Sequence, residues 1–510
     1  MFVRKKRNKS GSTSIKIITK KDGIYQVVKT LGTSQDLDEI ERLYRAGQEI
    51  IHARPEKQLP LFVTQSEHDQ IVENAFEALS NASVRTVGPE LIFGKLFDEM
   101  RFNEIKNTLF RHITIARLAY PASKLKTVDY LYRYLGIDIS EDKIYRFLDE
   151  LNKTYKEKVE KIAYQNTKKH LGGTISVVFY DMTTLYFEAE DEDDLRKIGF
   201  SKDGKFQCPQ IMLGLLVGKN GYPIGYDIFE GNTFEGHTLI PILEKIQKKY
   251  TFGRPTVIAD SAMLSMENLK NLNKAKYRFI IGGRLKNENE IMKEKILELA
   301  KDMKDGRELS LQRPDGTRLI VTYSKKRAKK DAYNRERGLR KLQKRMKMGR
   351  LTKEHINNRG YNRFLTLDGR ITVSIDYNKV NLDSGWDGLK GYITNTRLST
   401  KTVVENYGHL WQIEQAFRIS KTDLRIRPIF HYRKKRIEAH ICIAFVAYAI
   451  YRELERLLKK NKVPMSPRRA AELTHTMYAL EFILPDANEI KKKILKMDSE
   501  QQILYQAVYP

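Results

Sequence analysis

The sequence has few of the features that mark secreted, zinc-binding or membrane proteins. Its only cysteines are Cys208 and Cys442, too few for a disulfide framework or a zinc site, which fits a reducing cytosol. The longest apolar run, residues 441–450, has ten residues, whereas a membrane span needs about 20. The basic residues 1–10 are not followed by the apolar segment of a signal peptide. We therefore expect a cytoplasmic protein with no membrane partner.

Acidic residues are also scarce compared with basic ones. The 510-residue chain has 92 Lys and Arg against 64 Asp and Glu, a net charge of +28. Such an excess favours a polyanionic partner, because a positive field attracts phosphate backbones and speeds association. Ribosomal RNA or an acidic membrane surface would satisfy the charge as well as DNA. Charge alone does not choose among them.

The N-terminal region, residues 1–60, predicts a β-hairpin. Residues 14–32 alternate apolar and polar side chains around Asp22–Gly23, a good turn signal. We expect the basic tip before this hairpin to be disordered. A short helical segment follows, and the proline-marked residues 53–60 predict a linker.

Residues 61–170 predict a mainly helical region. Within it, residues 124–135 and 141–151 predict two helices joined by a glycine-containing turn, with Ser140 capping the second. This is helix-turn-helix spacing, and Lys143 and Arg146 would lie on the second helix. DNA recognition and an ordinary helical hairpin with a solvated basic face explain the pattern equally well.

Residues 171–284 predict an α/β core. The predicted order is β-β-β-α-β-α-β, with the second and third strands joined at Asn220–Gly221, a strong type I′ turn signal. Three antiparallel strands followed by right-handed α/β crossovers give a mixed sheet covered by helices.

The remaining chain divides at about residue 400. Residues 285–400 interrupt the α/β pattern, and we interpret them as a strand-rich basic insertion. Residues 325–350 carry 13 Lys and Arg against two acids, which favours phosphate contact over a merely solvated helix. Residues 401–510 predict one helix from Val403 to about Lys421, followed by two more helices.

Two aspartates stand at the ends of predicted strands. Asp181 follows the apolar run 177–180, and Asp260 closes the strand 255–260. Burying a carboxylate is costly unless it is paired or binds a metal. Neighbouring strands of an α/β sheet bring their chain ends into one crevice, so the two carboxylates can meet. A cap at a helix start explains Asp260 equally well, and a lysine partner would explain Asp181.

Glu414 is the third acid with an unusual context. On the predicted helix, six residues at a 3,4 spacing share one face, and these are Val403, Tyr407, Leu410, Glu414, Phe417 and Lys421. A stripe suited to packing therefore carries a glutamate at its centre. Together with Asp181 and Asp260, this is the oxygen-rich ligand set that a two-metal phosphoryl-transfer site needs.

Four stretches make the chain similar to a known family. They are FYDMTTLYFE at 179–188, VIADSAMLS at 257–265, DGLKGYITNT at 387–396 and YGHLWQIEQAFRISKTDLRIRP at 407–428. The chain resembles the DDE insertion-sequence transposases of the IS-four group, in the large branch with a β-strand-rich insertion. The family signature Tyr-x2-Arg-x3-Glu-x6-Lys is matched at Tyr407, Glu414 and Lys421. Its arginine position holds Leu410.

The resemblance implies a fold class and a reaction. The fold would be an α/β catalytic core with a ribonuclease-H-like mixed sheet, a β-rich insertion at 285–400 and a mainly helical N-terminal DNA-binding region. Asp181, Asp260 and Glu414 would be catalytic and would bind two Mg²⁺ or Mn²⁺ ions. The partner would be double-stranded DNA, at the element ends and at the target.

The resemblance also implies residues that hold DNA. Tyr407 and Lys421 would contact phosphate near the scissile bond, and Arg418 or Arg425 would replace the arginine that is absent at Leu410. Pairing of two ends implies a homodimer in the synaptic complex. The expected location is the prokaryotic cytosol, associated with the nucleoid.

Three functions are compatible with these patterns. The leading one is a transposase that binds inverted-repeat ends and catalyses DNA cleavage and strand transfer. A stand-alone metal-dependent nuclease on the same fold is the second. A domesticated DNA-binding protein that has lost catalysis is the third, and the intact set of three acids argues against it.

Overall fold

The structure is a computed structural model that describes residues 1–21, 23–52, 73, 79, 83–250, 253–263, 265–368, 372–484 and 489–509. The chain divides into two compact units, Met1–Glu77 and Ala78–Pro510. The predicted linker at 53–60 lies outside the described residues. Among those described, no helix is both long and apolar enough to cross a membrane.

The described part of the first unit contains a three-stranded antiparallel sheet and one helix. Its elements are β1 (Phe2–Arg7), β2 (Thr13–Lys21), β3 (Ile24–Ser34) and α1 (Leu37–His52). The hairpin and the helix were predicted, although Asp22 of the predicted turn lies outside the described residues. The prediction of a disordered tip is wrong, because Phe2–Arg7 pairs with β2. Pairing satisfies the backbone groups that a free tip would leave to water.

The second unit contains the remaining elements. Its strands are β4 (Val84–Thr86), β5 (Val177–Tyr186), β6 (Gln210–Val217), β7 (Pro223–Glu230), β8 (Thr256–Ala259), β9 (Arg278–Gly283), β10 (Glu308–Gln312), β11 (Arg318–Tyr323), β12 (Leu365–Asp368), β13 (Thr372–Ile375), β14 (Leu389–Thr394), β15 (Tyr478–Leu484) and β16 (Glu489–Ile494). Its first helices are α2 (Lys95–Glu99), α3 (Thr108–Ala119), α4 (Lys124–Leu135), α5 (Glu141–Glu150), α6 (Lys156–His170), α7 (Leu239–Tyr250), α8 (Met266–Lys274) and α9 (Glu290–Ala300). Its later helices are α10 (Lys325–Lys347), α11 (Tyr377–Ser384), α12 (Thr400–Gly408), α13 (Trp411–Arg418), α14 (Lys434–Lys460), α15 (Pro467–Thr474) and α16 (Ser499–Val508).

A mixed eight-stranded sheet forms the centre of this unit, in the order β10-β11-β14-β9-β8-β5-β6-β7. Strands β5, β8 and β9 run parallel to one another, and β6 and β7 continue the sheet antiparallel. The predicted β-β-β-α-β-α-β order is confirmed. The predicted hairpin is confirmed, and Asn220 and Gly221 both have positive φ. Its turn is not type I′, because the Gly221 N–H bonds to the Gly218 carbonyl, which makes Lys219 and Asn220 the central residues.

Alternation along the strands gives the sheet two buried faces. On one face Val178, Tyr180 and Val257 pack with α7, α8 and α9. On the other face Phe179 and Ile258 pack with α3 to α6 and with α12 to α14. A three-layer α/β/α unit results, and the second face is the one that carries the candidate site.

The segment 285–400 extends the central sheet. Its strands β10, β11 and β14 join the sheet at the β9 edge, while β12 and β13 form a separate hairpin. The basic segment forms the 23-residue helix α10. Only three of its basic residues, Arg327, Arg335 and Arg340, form ion pairs with described residues. Most of the positive charge of α10 is therefore left for solvent or a partner.

The predicted helical hairpin is present as α4 and α5. Gly136 ends α4 in the left-handed conformation at φ 69°, and the Ser140 hydroxyl accepts a hydrogen bond from the Lys143 backbone N–H at the start of α5. Lys143 and Arg146 are exposed on α5. These are the positions that phosphate contact would need.

Two predictions near the C-terminus are wrong. The helix expected from Val403 to Lys421 is broken into α12 and α13, because the Leu410 and Ile413 N–H groups bond three residues back and tighten the chain there. The tail after α14 contains β15 and β16 besides its helices, and β15 pairs with both β16 and β4. Residues 478–494 are almost 400 positions from Val84 along the chain, so the local sequence pattern could not predict this sheet.

Helix α14 is largely buried and carries an ion-paired glutamate. Glu453 accepts hydrogen bonds from Arg456, one of them at 2.6 Å, and lies 3.1 Å from the His170 ring nitrogen. Burial alone would raise the pKa of Glu453, but the bonds from Arg456 and His170 outweigh it and lower this pKa to about 2. The charged form of Glu453 therefore stabilises the fold.

Candidate active site

The strand register brings the two predicted aspartates together. In the parallel pair β5 and β8, Tyr180 lies opposite Ala259, so the next residues, Asp181 and Asp260, come level with each other. Neighbouring strands are about 4.8 Å apart, and in-register parallel strands point corresponding side chains to the same face. The two carboxylates therefore lie side by side.

The alternation of residues along β9, the strand next to β8, places Gly282 on the same face of the sheet as Asp181 and Asp260. Gly282 lies on β9 next to Ile281, whose side chain packs on the opposite face. The space that a Cβ atom at Gly282 would occupy is taken by the Tyr407 hydroxyl, 2.6 Å away, with the Ser261 backbone nitrogen at 3.1 Å. Glycine here lets the Tyr407 hydroxyl approach the strand backbone beside Asp260.

Tyr407 is the residue that links all three predicted acids. It is 8% exposed, at the end of α12. Burial raises the pKa of its hydroxyl, and the carboxylates of Asp260, Glu414 and Asp181 raise this pKa further. Glu414 is exposed on α13 rather than buried in the stripe. The structure thus brings Asp181, Asp260, Glu414 and Tyr407 to one side of the sheet.

Asp181 lies in a strongly acidic neighbourhood. Burial raises the pKa of Asp181 to about 6, although the Lys202 ammonium opposes the shift. The carboxylates of Asp260 and Glu235 raise this pKa further. A cation beside Asp181 would relieve this repulsion.

Lys202 is a site residue that the sequence patterns missed. Its Nζ lies 3.9 Å from Asp181 Oδ1 and 2.7 Å from Glu235 Oε1, and it donates to the Met182 carbonyl at 2.7 Å. Its backbone N–H donates to the Thr184 hydroxyl at 3.1 Å. The loop before β6 is thereby fastened to β5. The motif Ser-Lys-Asp-Gly in that loop was the available signal.

The next residue of that loop engages the predicted phosphate ligand Lys421. Asp203 accepts hydrogen bonds from Lys421 Nζ, the shorter at 3.2 Å, and also pairs with Arg427. Burial lowers the pKa of Lys421, and Asp203 opposes that shift. Lys421 is therefore tied to a protein carboxylate, in the turn that follows the Glu414 helix.

Lys390 is a second site residue that was missed. It lies on β14 with its Nζ 4.6 Å from the centre of the Tyr407 ring and 5.3 Å from that of Tyr392. Burial lowers the pKa of Lys390, Arg327 lowers it further, and Glu414 raises it. The ammonium thus lies between the aromatic pair and the exposed glutamate. Its place in the stretch DGLKGYITNT was the signal.

The other predicted DNA contacts are dispersed. Arg418 is exposed one turn after Glu414 on α13, and Leu410, at the signature arginine position, is buried in the core. Arg425 lines a cavity formed by α3, α4 and α14.

The three predicted acids fit a hard divalent cation only in part. Carboxylate oxygens are the ligands that Mg²⁺ and Mn²⁺ prefer, and the adjacent Asp181 and Asp260 fit such an ion. Within the described ranges, however, no three His, Cys, Asp or Glu side chains converge closely enough to hold one ion. Glu414 is close enough to Tyr407 for its charge to raise the pKa of that hydroxyl, and no hydrogen bond or ion pair among the described residues joins it to the two aspartates.

The comparison with known families decides the identity. A family model described as "Transposase DDE domain" matches residues 172–450, which is more than half of the chain and includes all three acids. The chain belongs to this family. DDE transposases are polynucleotidyl transferases and nucleases of DNA transposition, and they normally use divalent metal ions.

Solved transposase structures are distantly similar to this DDE transposase. One is the piggyBac transposase synaptic complex with hairpin DNA, at 11% identity and a TM-score of 0.38, covering 76% of this chain and 79% of that chain. Another is the Mos1 transposase paired-end complex with the left transposon end, at 10% identity and a TM-score of 0.16, covering 48% and 67%. No curated protein sequence matches the chain significantly.

Proposed function

We propose that this DDE transposase belongs to the IS-four group of insertion sequences and has a ribonuclease-H-like core. It binds the inverted-repeat ends of its element and catalyses DNA cleavage and strand transfer. The observation that carries the proposal is the parallel register of β5 and β8, which sets Asp181 and Asp260 level, with Glu414 on α13, a helix that packs against β5. Three acids on one side of a sheet, in a protein of charge +28, suit metal-dependent chemistry on a phosphate backbone.

Asp181, Asp260 and Glu414 are the residues we assign to two Mg²⁺ or Mn²⁺ ions. The in-register aspartates form the fixed part of the site, and Glu414 supplies the third carboxylate from α13. When bound, two such ions activate the attacking oxygen and stabilise the leaving one. The acidic surroundings that raise the pKa of Asp181 also favour the binding of cations.

The chain's own cationic and phenolic groups orient the DNA. Tyr407 and the exposed Arg418 are assigned to phosphate contact on either side of Glu414, as the family resemblance implies. Lys421 is assigned the same role, and its contact with phosphate requires it to leave Asp203. Lys390 and Lys202, which flank the acids, add positive charge beside the expected position of the scissile phosphate.

Further basic surfaces support a DNA partner. Most basic residues of α10 form no ion pair with any described residue, and α5 presents Lys143 and Arg146. We assign α10 to the DNA backbone and the α4–α5 hairpin to the element end. A homodimer that pairs two ends, in a nucleoid-associated prokaryotic cytosol, completes the proposal.

The experiment is cleavage and strand transfer of labelled DNA that carries the inverted repeat flanking the coding region, with Mg²⁺. Wild type is compared with Glu414→Gln and with Glu405→Gln, an exposed acid on α12 that serves as matched control. We expect wild type and Glu405→Gln to cut at the repeat boundary and join ends to target DNA. Glu414→Gln should lose at least about 1,000-fold in rate while still binding the end.

Other outcomes distinguish the alternatives. Cleavage without joined products would favour a stand-alone nuclease. Binding without cleavage by any of the three proteins would favour a DNA-binding protein that has lost catalysis. Cleavage that survives Glu414→Gln would refute the assignment of the third acid.

A further inference from the structure

A large cavity lies in the helical layer of the second unit, apart from the three acids. Its volume is about 880 Å³, within the range of small-molecule sites. It is bounded by the end of α3, the start of α4, the chain after α13, and α14 and α15. The proposed function assigns it no role.

The cavity wall holds two buried cations without carboxylate partners. Lys124 and Arg117 are each 5% exposed. The Nζ of Lys124 has no hydrogen-bond partner among the described residues. Among the described residues, Arg117 hydrogen-bonds only to the carbonyl oxygens of Leu424 and Arg425, both at 3.4 Å. A buried charge with no counter-ion costs free energy, and an anion bound beside Lys124 and Arg117 would offset that cost.

Charge interactions within the protein do not offset this cost. Burial lowers the pKa of Lys124 strongly, and the neighbouring Arg117 lowers it further. The acids that line the cavity are already engaged elsewhere. Glu141 accepts from Tyr145, Asp423 accepts from Tyr451, and Glu472 pairs with Arg468.

Other groups of the wall add to the positive potential. Lys124 is the first residue of the 12-residue helix α4, whose N-terminus carries partial positive charge. Arg425 also lines the cavity and forms no ion pair with a described residue, whereas Arg427 and Arg468 of the wall are paired with Asp203 and Glu472. An anion that entered the cavity would supply a counter-charge to these groups.

The remaining walls indicate which anion fits. Tyr120 and Phe430 line the cavity and are 41% and 56% exposed, so each presents a ring to an occupant. Nucleobases stack on such rings, while their phosphates bind Lys and Arg. An occupant with one phosphate and one aromatic base matches both halves of the wall.

We propose that this cavity binds the phosphate of a nucleotide unit through Lys124 and Arg117, with the base against the aromatic wall. The nucleotide is either free in solution or part of a DNA strand. The second source rests on the proposed function, whereas the first does not. Arg427 of the wall pairs with Asp203, next to Lys202 of the acidic site, so an occupant would lie close to the loop that borders the catalytic acids.

The test uses the full chain and two probes, 2′-deoxyadenosine 5′-monophosphate and a DNA duplex carrying the element end. Wild type is compared with Lys124→Met, which keeps the stem and removes the charge. Lys161→Met, an exposed lysine of α6, is the matched control. Arg468 also lines the cavity, but its side chain is 74% exposed. Arg468→Gln therefore tests the same cavity with little risk of misfolding, should the buried Lys124→Met variant fail to fold.

We expect Lys124→Met to melt no lower than wild type without ligand, because it removes an uncompensated buried charge. It should bind at least one probe about tenfold more weakly, as expected when a phosphate is deprived of a charged partner. Arg468→Gln should weaken the same probe about threefold, and Lys161→Met should match wild type. An effect on the monophosphate identifies a free nucleotide, and an effect on the duplex alone identifies DNA.

Two results would overturn the proposal. One is equal affinity of wild type and Lys124→Met for both probes. The other is a lower melting temperature of Lys124→Met with unchanged binding, which would make Lys124 structural. The monophosphate measurement needs neither DNA nor cleavage, so failure of the proposed transposase activity would leave its result intact.

Discussion

Replacing Gly282 with alanine tests whether the Tyr407 hydroxyl is held against strand β9 beside the catalytic acids. An added Cβ atom would lie 2.6 Å from the Tyr407 oxygen and 3.1 Å from the Ser261 nitrogen. The first distance is well inside van der Waals contact, and the second is only tight. The clash therefore falls mainly on one atom.

Overpacking by one methyl group typically costs about 1–3 kcal/mol, and most of this cost should come from the Tyr407 hydroxyl. In a Tyr407→Phe background that oxygen is absent, so the same alanine should cost at least about 1 kcal/mol less. Gly408→Ala is the control, because an added Cβ there meets no atom within 4 Å. It should leave stability unchanged or slightly raise it, since alanine favours a helix.

The assay combines thermal unfolding of the four proteins of the cycle with cleavage of element-end DNA. We expect Gly282→Ala to lower the melting temperature, Tyr407→Phe to relieve part of that loss, and cleavage to fall because Tyr407 is displaced. An equal loss of stability in both backgrounds would refute the reasoning, since the clash would then not involve the hydroxyl. So would unchanged cleavage by a destabilised Gly282→Ala protein.

Three further predictions concern charge. Asp203→Asn leaves two cations without their shared carboxylate and should cost about 2–4 kcal/mol; a melting temperature equal to that of wild type would contradict this. Glu453→Gln should remove up to about 3 kcal/mol of stability at neutral pH. The pKa of Glu453 in the folded protein is lowered from 4.5 to about 2. The difference in stability between the variant and wild type should therefore shrink as the pH falls from about 5 towards 2. A difference in melting temperature that does not change with pH would contradict this prediction. The third prediction neutralises three exposed basic residues of α10, Lys330, Arg337 and Lys344. The slope of log DNA affinity against log salt concentration should become shallower by about 0.9 for each phosphate that the helix no longer contacts. An unchanged slope would show that α10 does not contact the DNA.

Local patterning predicted the elements that depend on residues close in sequence. Alternating strands, the hairpin at Asn220–Gly221 and the Ser140 cap each express a short-range preference of the backbone, and the structure has them. The break between α12 and α13 was missed because residues 403–421 keep an unbroken helical periodicity. The pairing of β15 with β4 was missed because it joins Tyr478 to Thr86, residues that lie far apart along the chain.

The candidate site shows the same division. Asp181 and Asp260 were identifiable because each follows a run of apolar residues, and the parallel register then sets them level. The expectation that Asp181 ends its strand is wrong, because β5 continues to Tyr186 through its pairing with β6. Lys202, Glu235 and Lys390 were missed, because the polarity pattern of each segment singles out no residue for the site, although Lys202 and Lys390 lie in short motifs that could have drawn attention to them. Their place beside the acids depends on how separate segments fold together.

The sequence by itself determined the order of the core elements, the strong positive charge and the three acids that the family resemblance singles out. These follow from side-chain chemistry and from spacing along one segment. Only the tertiary structure decided that the Tyr407 hydroxyl lies on Gly282, that Asp203 binds Lys421, and that Lys124 and Arg117 are buried without a carboxylate. Such contacts join residues far apart in the chain, and they form because the sheet and the helices must pack their apolar faces together, which fixes the polar neighbours each side chain meets.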